Sequence, residues 1–356
     1  MPTKRLRVAL VKDWLTSYGG SEEQLWQLHL LYPDAPIYTS VYDEQRLPQF
    51  KKATIKEMSL SGWFRKGRRF EKLALILPLY FSTLHLSDYD LVISITSGFA
   101  KAVTTNSQTV HLCICNTPIR FAWGFGTDKR GLLGSILAPL FRWFDKRSAQ
   151  KVDYFLANSV NVARRIKQVY QRDSEVLYPP VHVENFIDLK RSRQPEGLIT
   201  IGRLVYYKRI DLIIAACNQL QLPLTVIGTG PEESRLQKLA GPTVKLLGFC
   251  DTAKIKQELT KAKAFVFAAE EDFGIAPVEA MAAGCPVIAL KKGGSLETVT
   301  SKTGTFFNEQ TVDSLVEAIQ HLPADWDIVS MRKQANKFSV EKFITGVTSF
   351  IDRFTR

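Results

Sequence analysis

From Gly197 onward, short apolar runs alternate with helical stretches, and this alternation restricts the possible fold more than any other feature of the chain. The runs at 198–201, 224–227, 244–247, 264–267 and 286–290 have the length and composition of strands buried on both faces. Helix signals stand between them: Pro231 and Pro277 fit first-turn positions, Asp251 an N-cap and Gly284 a helix stop. Such alternation predicts a parallel sheet covered by helices on both faces. The first half reads in the same way, with strands expected over 6–11, 37–41, 91–95, 109–115 and 153–157. Helices are expected there over 22–31, 70–84 and 160–170. A chain of 356 residues exceeds one usual core. The expected organisation is therefore an N-terminal domain over 1–180, a linker at 181–195 and a second domain over 196–338. Two doubly wound, Rossmann-like α/β domains joined in this way would face each other across a cleft at the carboxyl ends of both sheets, where ligands bind.

Composition narrows the classes. Hydrophobic residues at 45% and charged residues at 23% belong to a folded chain, not a disordered one. The five cysteines, Cys113, Cys115, Cys217, Cys250 and Cys285, are odd in number and scattered. They form neither a disulfide framework nor a zinc pattern, and they suit a reducing cytoplasm. Cys113 and Cys115 alternate within an expected strand, which predicts buried packing. No secretory signal is read at the start, and the most apolar segment, 73–81, contains Pro78 and is too short to span a bilayer. A net charge of +12 calls for an anionic partner, and nucleic acid, anionic lipid and phosphate-bearing substrates all satisfy it.

Four local features carry chemistry. Glu271-Asp272-Phe273-Gly274-Ile275-Ala276-Pro277-Val278-Glu279 follows one expected strand and opens a helix over 277–283. Helix-start N–H groups at Phe273, Gly274, Ile275 and Ala276 suit an anion, Gly274 permits close approach, and Glu279 in the first turn can accept hydroxyl hydrogen bonds. Gly202-Arg203-Leu204 with Lys208 follows another strand, where two cations could neutralise a diphosphate. Gly228-Thr229-Gly230 is a third strand-end turn. Gly19-Gly20, after Asp13-Trp14, opens the first helix and offers N–H groups to a phosphate or sugar. A tight turn or a solvated basic loop competes with each reading, but all four features fall on the same edge of their sheets.

These residues resemble the retaining two-Rossmann (GT-B) glycosyltransferases, specifically family 4, group 1. The resemblance rests on the Glu271/Glu279 pair, Gly202-Arg203-Leu204 with Lys208, and Gly228-Thr229-Gly230-Pro231. Asp13-Trp14, Tyr32-Pro33-Asp34-Ala35-Pro36, Asn116-Thr117-Pro118-Ile119-Arg120-Phe121-Ala122-Trp123 and Ala157-Asn158-Ser159 are similar to O-antigen-type mannosyltransferases. The resemblance implies that Arg203 and Lys208 hold the donor diphosphate, Glu279 the ribose and Glu271 the transferred hexose, with the backbone near Cys250 cradling the base. It also implies retention of configuration, no metal or other cofactor, and a closing helix over 339–356 that packs back on the first domain. Asp13 and Asn116 join Glu271 as catalytic candidates. Asn116 departs from the family, in which many members carry histidine; asparagine hydrogen-bonds but does not titrate near neutral pH.

The function so implied is transfer of a hexose, mannose from GDP-mannose being favoured, from a nucleotide sugar to a glycan or lipid-linked acceptor. Residues 51–72 carry eight basic and two acidic residues with Trp63, Phe64 and Phe70 among them, and 131–147 adds an apolar run with Trp143. Both suit an anionic membrane surface, giving an expected cytoplasmic location, peripheral on the inner face of the membrane, with no nucleic-acid partner. A nucleotide-sugar epimerase on the same fold and, more weakly, a basic nucleic-acid-binding protein are the competing classes.

Overall fold

The computed structural model describes residues 6–59, 76–125 and 132–355. The chain divides into one unit of Met1–Pro180 with Phe343–Arg356 and a second of Val181–Lys342.

In the first unit, seven parallel strands lie in the order β3-β2-β1-β4-β5-β6-β7. They are β1 (Val8–Lys12), β2 (Ile37–Thr39), β3 (Ile55–Glu57), β4 (Leu91–Thr96), β5 (Val110–Cys115), β6 (Tyr154–Ala157) and β7 (Glu175–Val176). Every residue of β1 and β4 is buried, because helices cover both faces of a parallel sheet and leave no side for water. Those helices are α1 (Gly20–Leu31), α2 (Leu77–Thr83), α3 (Arg120–Trp123), α4 (Leu132–Ala149) and α5 (Val160–Tyr170). Of the helix expected over 70–84, only α2 lies within the described residues, and Trp63, Phe64 and Phe70 lie outside them. Cys113 and Cys115 are fully buried, and burial pushes the Cys113 thiol up to about 12.

The second unit holds six parallel strands in the order β10-β9-β8-β11-β12-β13. They are β8 (Leu198–Ile201), β9 (Leu224–Ile227), β10 (Val244–Leu246), β11 (Ala264–Phe267), β12 (Val287–Leu290) and β13 (Gly304–Phe307). Its helices are α6 (Ile210–Leu220), α7 (Glu233–Leu239), α8 (Thr252–Lys261), α9 (Ile275–Ala282), α10 (Ser295–Thr298), α11 (Val312–Gln320) and α12 (Ile328–Asn336). Asp251 caps α8, its carboxylate accepting from the Lys254 amide at 2.8 Å. Pro231 stands before α7 instead of in its first turn, and α9 starts at Ile275, two residues ahead of Pro277.

Residues 181–195, expected as a linker, pack as part of the second unit. Val181, Val183 and Phe186 are buried there, and the Val181 amide donates to Phe338 at 2.9 Å. Three apolar anchors hold the segment that charge and proline content had marked as loose. The last helix, α13 (Val340–Thr355), contributes Phe343, Val347, Phe350 and Ile351 to the core of the first unit, in one cluster with Leu91, Leu112 and Leu177. Tyr154 stacks on Phe354 with ring centroids 4.0 Å apart, and Arg353 pairs with Glu175 at 2.9 Å.

In each sheet the strand order reverses beside the first strand of the unit, between β1 and β4 and between β8 and β11. Loops leaving the carboxyl ends of such a pair diverge to opposite faces and open a crevice. The candidate residues lie on these loops.

Candidate active site

In the second unit the β8 and β11 loops meet. Lys208, closing the short turn Tyr206–Lys208, forms an ion pair with Glu271, and its ammonium lies 5.6 Å from the centre of the Phe267 ring. Both side chains are mostly buried, so the pair works in a medium less screening than bulk water. Arg203 on the same loop is exposed, leaving its guanidinium fork accessible to an anion.

The β9 loop is stacked on the β8 loop through backbone contacts. A Cβ at Gly228, where φ is 138°, would lie 1.9 Å from the Gly202 carbonyl oxygen. The Leu204 amide donates to Thr229 at 2.9 Å and the Gly228 amide to Gly248 at 2.8 Å. Gly228, a candidate donor-site residue, uses its N–H to hold the Gly248 loop, and its missing side chain makes room for Gly202. Cys250 is half-buried, directly before the Asp251 cap and beside an exposed Phe249.

Gly274 adopts a φ of 91°, a region that favours glycine, and sets the entry to α9. The N–H groups of Ile275 and Ala276 follow as first-turn donors without intrahelical acceptors. The Phe273 side chain is buried edge-on against Phe338 at 5.3 Å. The glycine pair after β12, which the sequence reading passed over, clamps the segment from behind. A Cβ at Gly293 would sit 2.3 Å from the Glu271 carbonyl oxygen, and the Gly294 amide donates to that oxygen at 2.8 Å. Two adjacent glycines three residues past a strand end were the available signal.

Glu279 lies in the second turn of α9, not the first, because the helix begins earlier than expected. Burial pushes its carboxyl up to about 7, with the charge of His182 acting in the opposite direction. The folded chain therefore keeps this proton at pH values where an unfolded chain, titrating near 4.5, has lost it. Its contribution to stability is greatest below about 4.5 and falls as the pH rises to about 7. Glu279→Gln should remove that slope, a difference of at most about 3 kcal/mol, read from thermal midpoints across this window. Parallel pH profiles for the variant and the wild type would exclude a raised pKa.

The first unit holds Asp13 at the end of β1, and the structure corrects its role. The side chain is 1% exposed. Its two oxygens accept from Thr96 Oγ1 at 2.9 and 3.0 Å and from the amides of Ser97, Phe99 and Ala100 at 2.8, 2.8 and 2.7 Å. A carboxylate saturated by these donors organises the β4 loop and presents no free oxygen to a substrate. Beside it, Lys12 pairs with Glu22 at 3.1 Å and donates to Ser21 at 3.0 Å, fixing the start of α1. Gly19 is the N-cap there, its carbonyl accepting from Glu22 and Glu23, and Gly20 begins the helix.

Asn116 ends β5. Its amide donates to Thr96 at 2.8 Å, its Oδ1 accepts from Asn158 at 3.3 Å, and its Nδ2 is buried with no acceptor among the described residues. A buried donor without a partner costs about 1–3 kcal/mol. Asn158, quoted in the sequence only as part of the Ala157-Asn158-Ser159 motif, orients this side chain. Behind both strand ends, Lys101 and Asp145 form a buried ion pair of 2.5 Å. Asp145 also accepts from Trp123 at 2.7 Å and Tyr170 at 2.8 Å, while Lys101 donates to the Gly98 carbonyl at 2.7 Å. No group of residues suited to hold a metal ion occurs among the described residues.

Residues 183–340 match the model of the glycosyl transferases group 1 family. The chain is 26% identical over 265 residues to the human alpha-1,3/1,6-mannosyltransferase ALG2, a match covering 62% of this chain and 64% of that protein. It is 35% identical over 140 residues to a GDP-mannose-dependent phosphatidylinositol monomannoside mannosyltransferase of Corynebacterium glutamicum, covering 35% and 37% of the two chains. In fold it is similar to HepE of Anabaena, solved in complex with UDP, with a TM-score of 0.73, 17% identity and coverage of 98% of this chain and 100% of that one.

Proposed function

We propose that this chain, a group 1 glycosyltransferase of the GT-B fold, moves a hexose from a nucleotide sugar to a glycan or lipid-linked acceptor with retention of configuration. Mannose from GDP-mannose is the favoured donor, supported by the mannosyltransferases to which the chain is similar. The observation that carries the reading is the Lys208–Glu271 pair at the strand-order reversal of the second unit.

A nucleoside diphosphate leaves readily once its growing negative charge is met. Lys208, the exposed Arg203 and the first-turn amides of α9 supply positive potential on one side of the reversal. Their attraction increases as the glycosidic bond breaks, which is the condition for accelerating the reaction instead of only binding the donor. Glu271, holding Lys208, would accept hydroxyl hydrogen bonds from the hexose, and Glu279 those of the ribose. Asn116 would orient a sugar hydroxyl through its unpartnered Nδ2. The departing phosphate would take the acceptor proton on the face it leaves, giving retention without a protein nucleophile.

A thermal-shift panel of GDP, UDP, ADP and dTDP sugars tests the donor assignment, since a ligand at 100 times its Kd raises stability by about 2.7 kcal/mol. GDP-mannose should give the largest shift. A larger shift with a UDP sugar would overturn the mannose assignment, and no shift with any nucleotide sugar would overturn the transferase reading.

A further inference from the structure

Helix α4 is apolar on two opposite sides. Its inner side places Phe141 and Phe144 against Phe99, with ring centroids 5.8 and 6.0 Å apart. Its outer side carries Ile136, Leu140 and Trp143, which are 66%, 58% and 60% exposed, with Pro139 exposed between them. Steps of four and three residues place these side chains in one stripe along the helix. The next turn brings Lys146 and Arg147, both exposed, with the Arg147 guanidinium 5.7 Å from the centre of the Trp143 ring. The only acid of the helix, Asp145, is turned inward and held by Lys101. The outer face therefore presents cations and no carboxylate. Helix α2 packs on the same short turn, Ala100–Ala102, as α4 does, and its Leu79 is 65% exposed.

An apolar stripe of this size left in water marks a contact surface, and its chemistry identifies the partner. A protein partner needs shape, whereas a bilayer needs a flat apolar strip, an aromatic residue at headgroup level and cations beside it. The geometry points to the outer face of α4 as the surface by which the chain docks on an anionic phospholipid bilayer. Ile136, Leu140 and Trp143 enter the boundary between headgroups and acyl chains, and Lys146 and Arg147 take the lipid phosphates. The chain's net charge of +12 acts in the same direction. No helix among the described residues is long and apolar enough to cross the membrane, so contact of this kind is peripheral. The inference deepens the reading of a lipid-linked acceptor, yet vesicle binding is measured without donor or acceptor and so stands or falls separately.

The test is co-sedimentation of the full chain with phosphatidylcholine vesicles, with and without phosphatidylglycerol. Binding to the anionic vesicles should exceed binding to the neutral ones and weaken with salt. Ile136→Asp with Leu140→Asp should lower the partition coefficient about tenfold or more. Lys146→Glu with Arg147→Glu should abolish the preference for anionic lipid. All four side chains are exposed, so circular dichroism and the thermal midpoint should stay at wild-type values. Unchanged binding by the Ile136/Leu140 variant overturns the inference, as does equal, negligible binding of the wild type to both vesicles. Self-association without lipid that this variant abolishes, with no vesicle binding, assigns the stripe to a second copy and also overturns it. If vesicle binding holds while no nucleotide sugar shifts the midpoint of either protein, the transferase reading fails and the docking surface remains.

Discussion

Asp145→Ala is expected to destabilise the first unit by about 3–5 kcal/mol, the scale found when one member of a buried ion pair is removed. Asp145 is fully buried and accepts from Trp123 and Tyr170 while pairing with Lys101, itself 1% exposed. Truncation strands an ammonium, an indole N–H and a phenol inside the protein. Those groups belong to the β4 loop and to helices α3 and α5, so the loss should spread to the strand ends that carry Asp13 and Asn116. Asp145→Asn keeps an acceptor for Trp123 or Tyr170 but still leaves Lys101 uncompensated, and should fall between the wild type and the alanine variant. Replacing both partners, Lys101→Met with Asp145→Leu, should recover part of the loss, because an apolar pair leaves no charge to solvate. Urea titration gives these differences directly. A wild-type midpoint for Asp145→Ala would mean that the loops are held by something other than this pair.

Lys208→Ala should lower the rate of sugar transfer by roughly 10- to 100-fold, an effect of about 1–3 kcal/mol on the transition state. The loss should appear mainly in kcat if the ammonium meets charge that develops only as the diphosphate departs. Arg203→Ala, removing an exposed fork, should act in the same direction with more of its effect in KM. If Glu271 binds the hexose as proposed, Glu271→Gln should depress turnover while leaving free-nucleotide affinity close to wild type, since the carboxylate would touch nothing in a nucleoside diphosphate. Because Lys208 and Glu271 are in contact, their effects should not add, and a double-mutant cycle should give a coupling of about 0.5–3 kcal/mol. Wild-type kinetics in both Lys208→Ala and Arg203→Ala would remove the diphosphate from this corner of the fold.

The strands of the second unit were legible because a strand buried on both faces must be apolar throughout, a property of neighbouring residues. The runs at 198–201, 224–227 and 264–267 coincide with β8, β9 and β11. The short edge strands β3 and β7 were not, since an edge position asks little of the side chains; Glu175 and Val176 are both exposed. The cap at Asp251 was readable for the same local reason: its carboxylate acts on an amide three residues away.

Roles set by distant neighbours were not readable in this way. Asp13 follows a strand, as a catalytic acid would, and only the folding of residues 96–100 around it converts it into a saturated loop anchor. Gly228 looks like part of a phosphate-binding turn until the Gly202 carbonyl is found where its side chain would be. Asp145, an acid in the middle of an amphipathic helix, gives no sign of the three partners that fold onto it. The sequence by itself determined the elements and the ends of strands at which chemistry could occur, because apolar runs and turn residues act through contacts a few residues long. Tertiary structure alone decided which carboxylates stay available and which are saturated, because desolvation and hydrogen bonding depend on groups that only the folded sheet brings within 3 Å of one another.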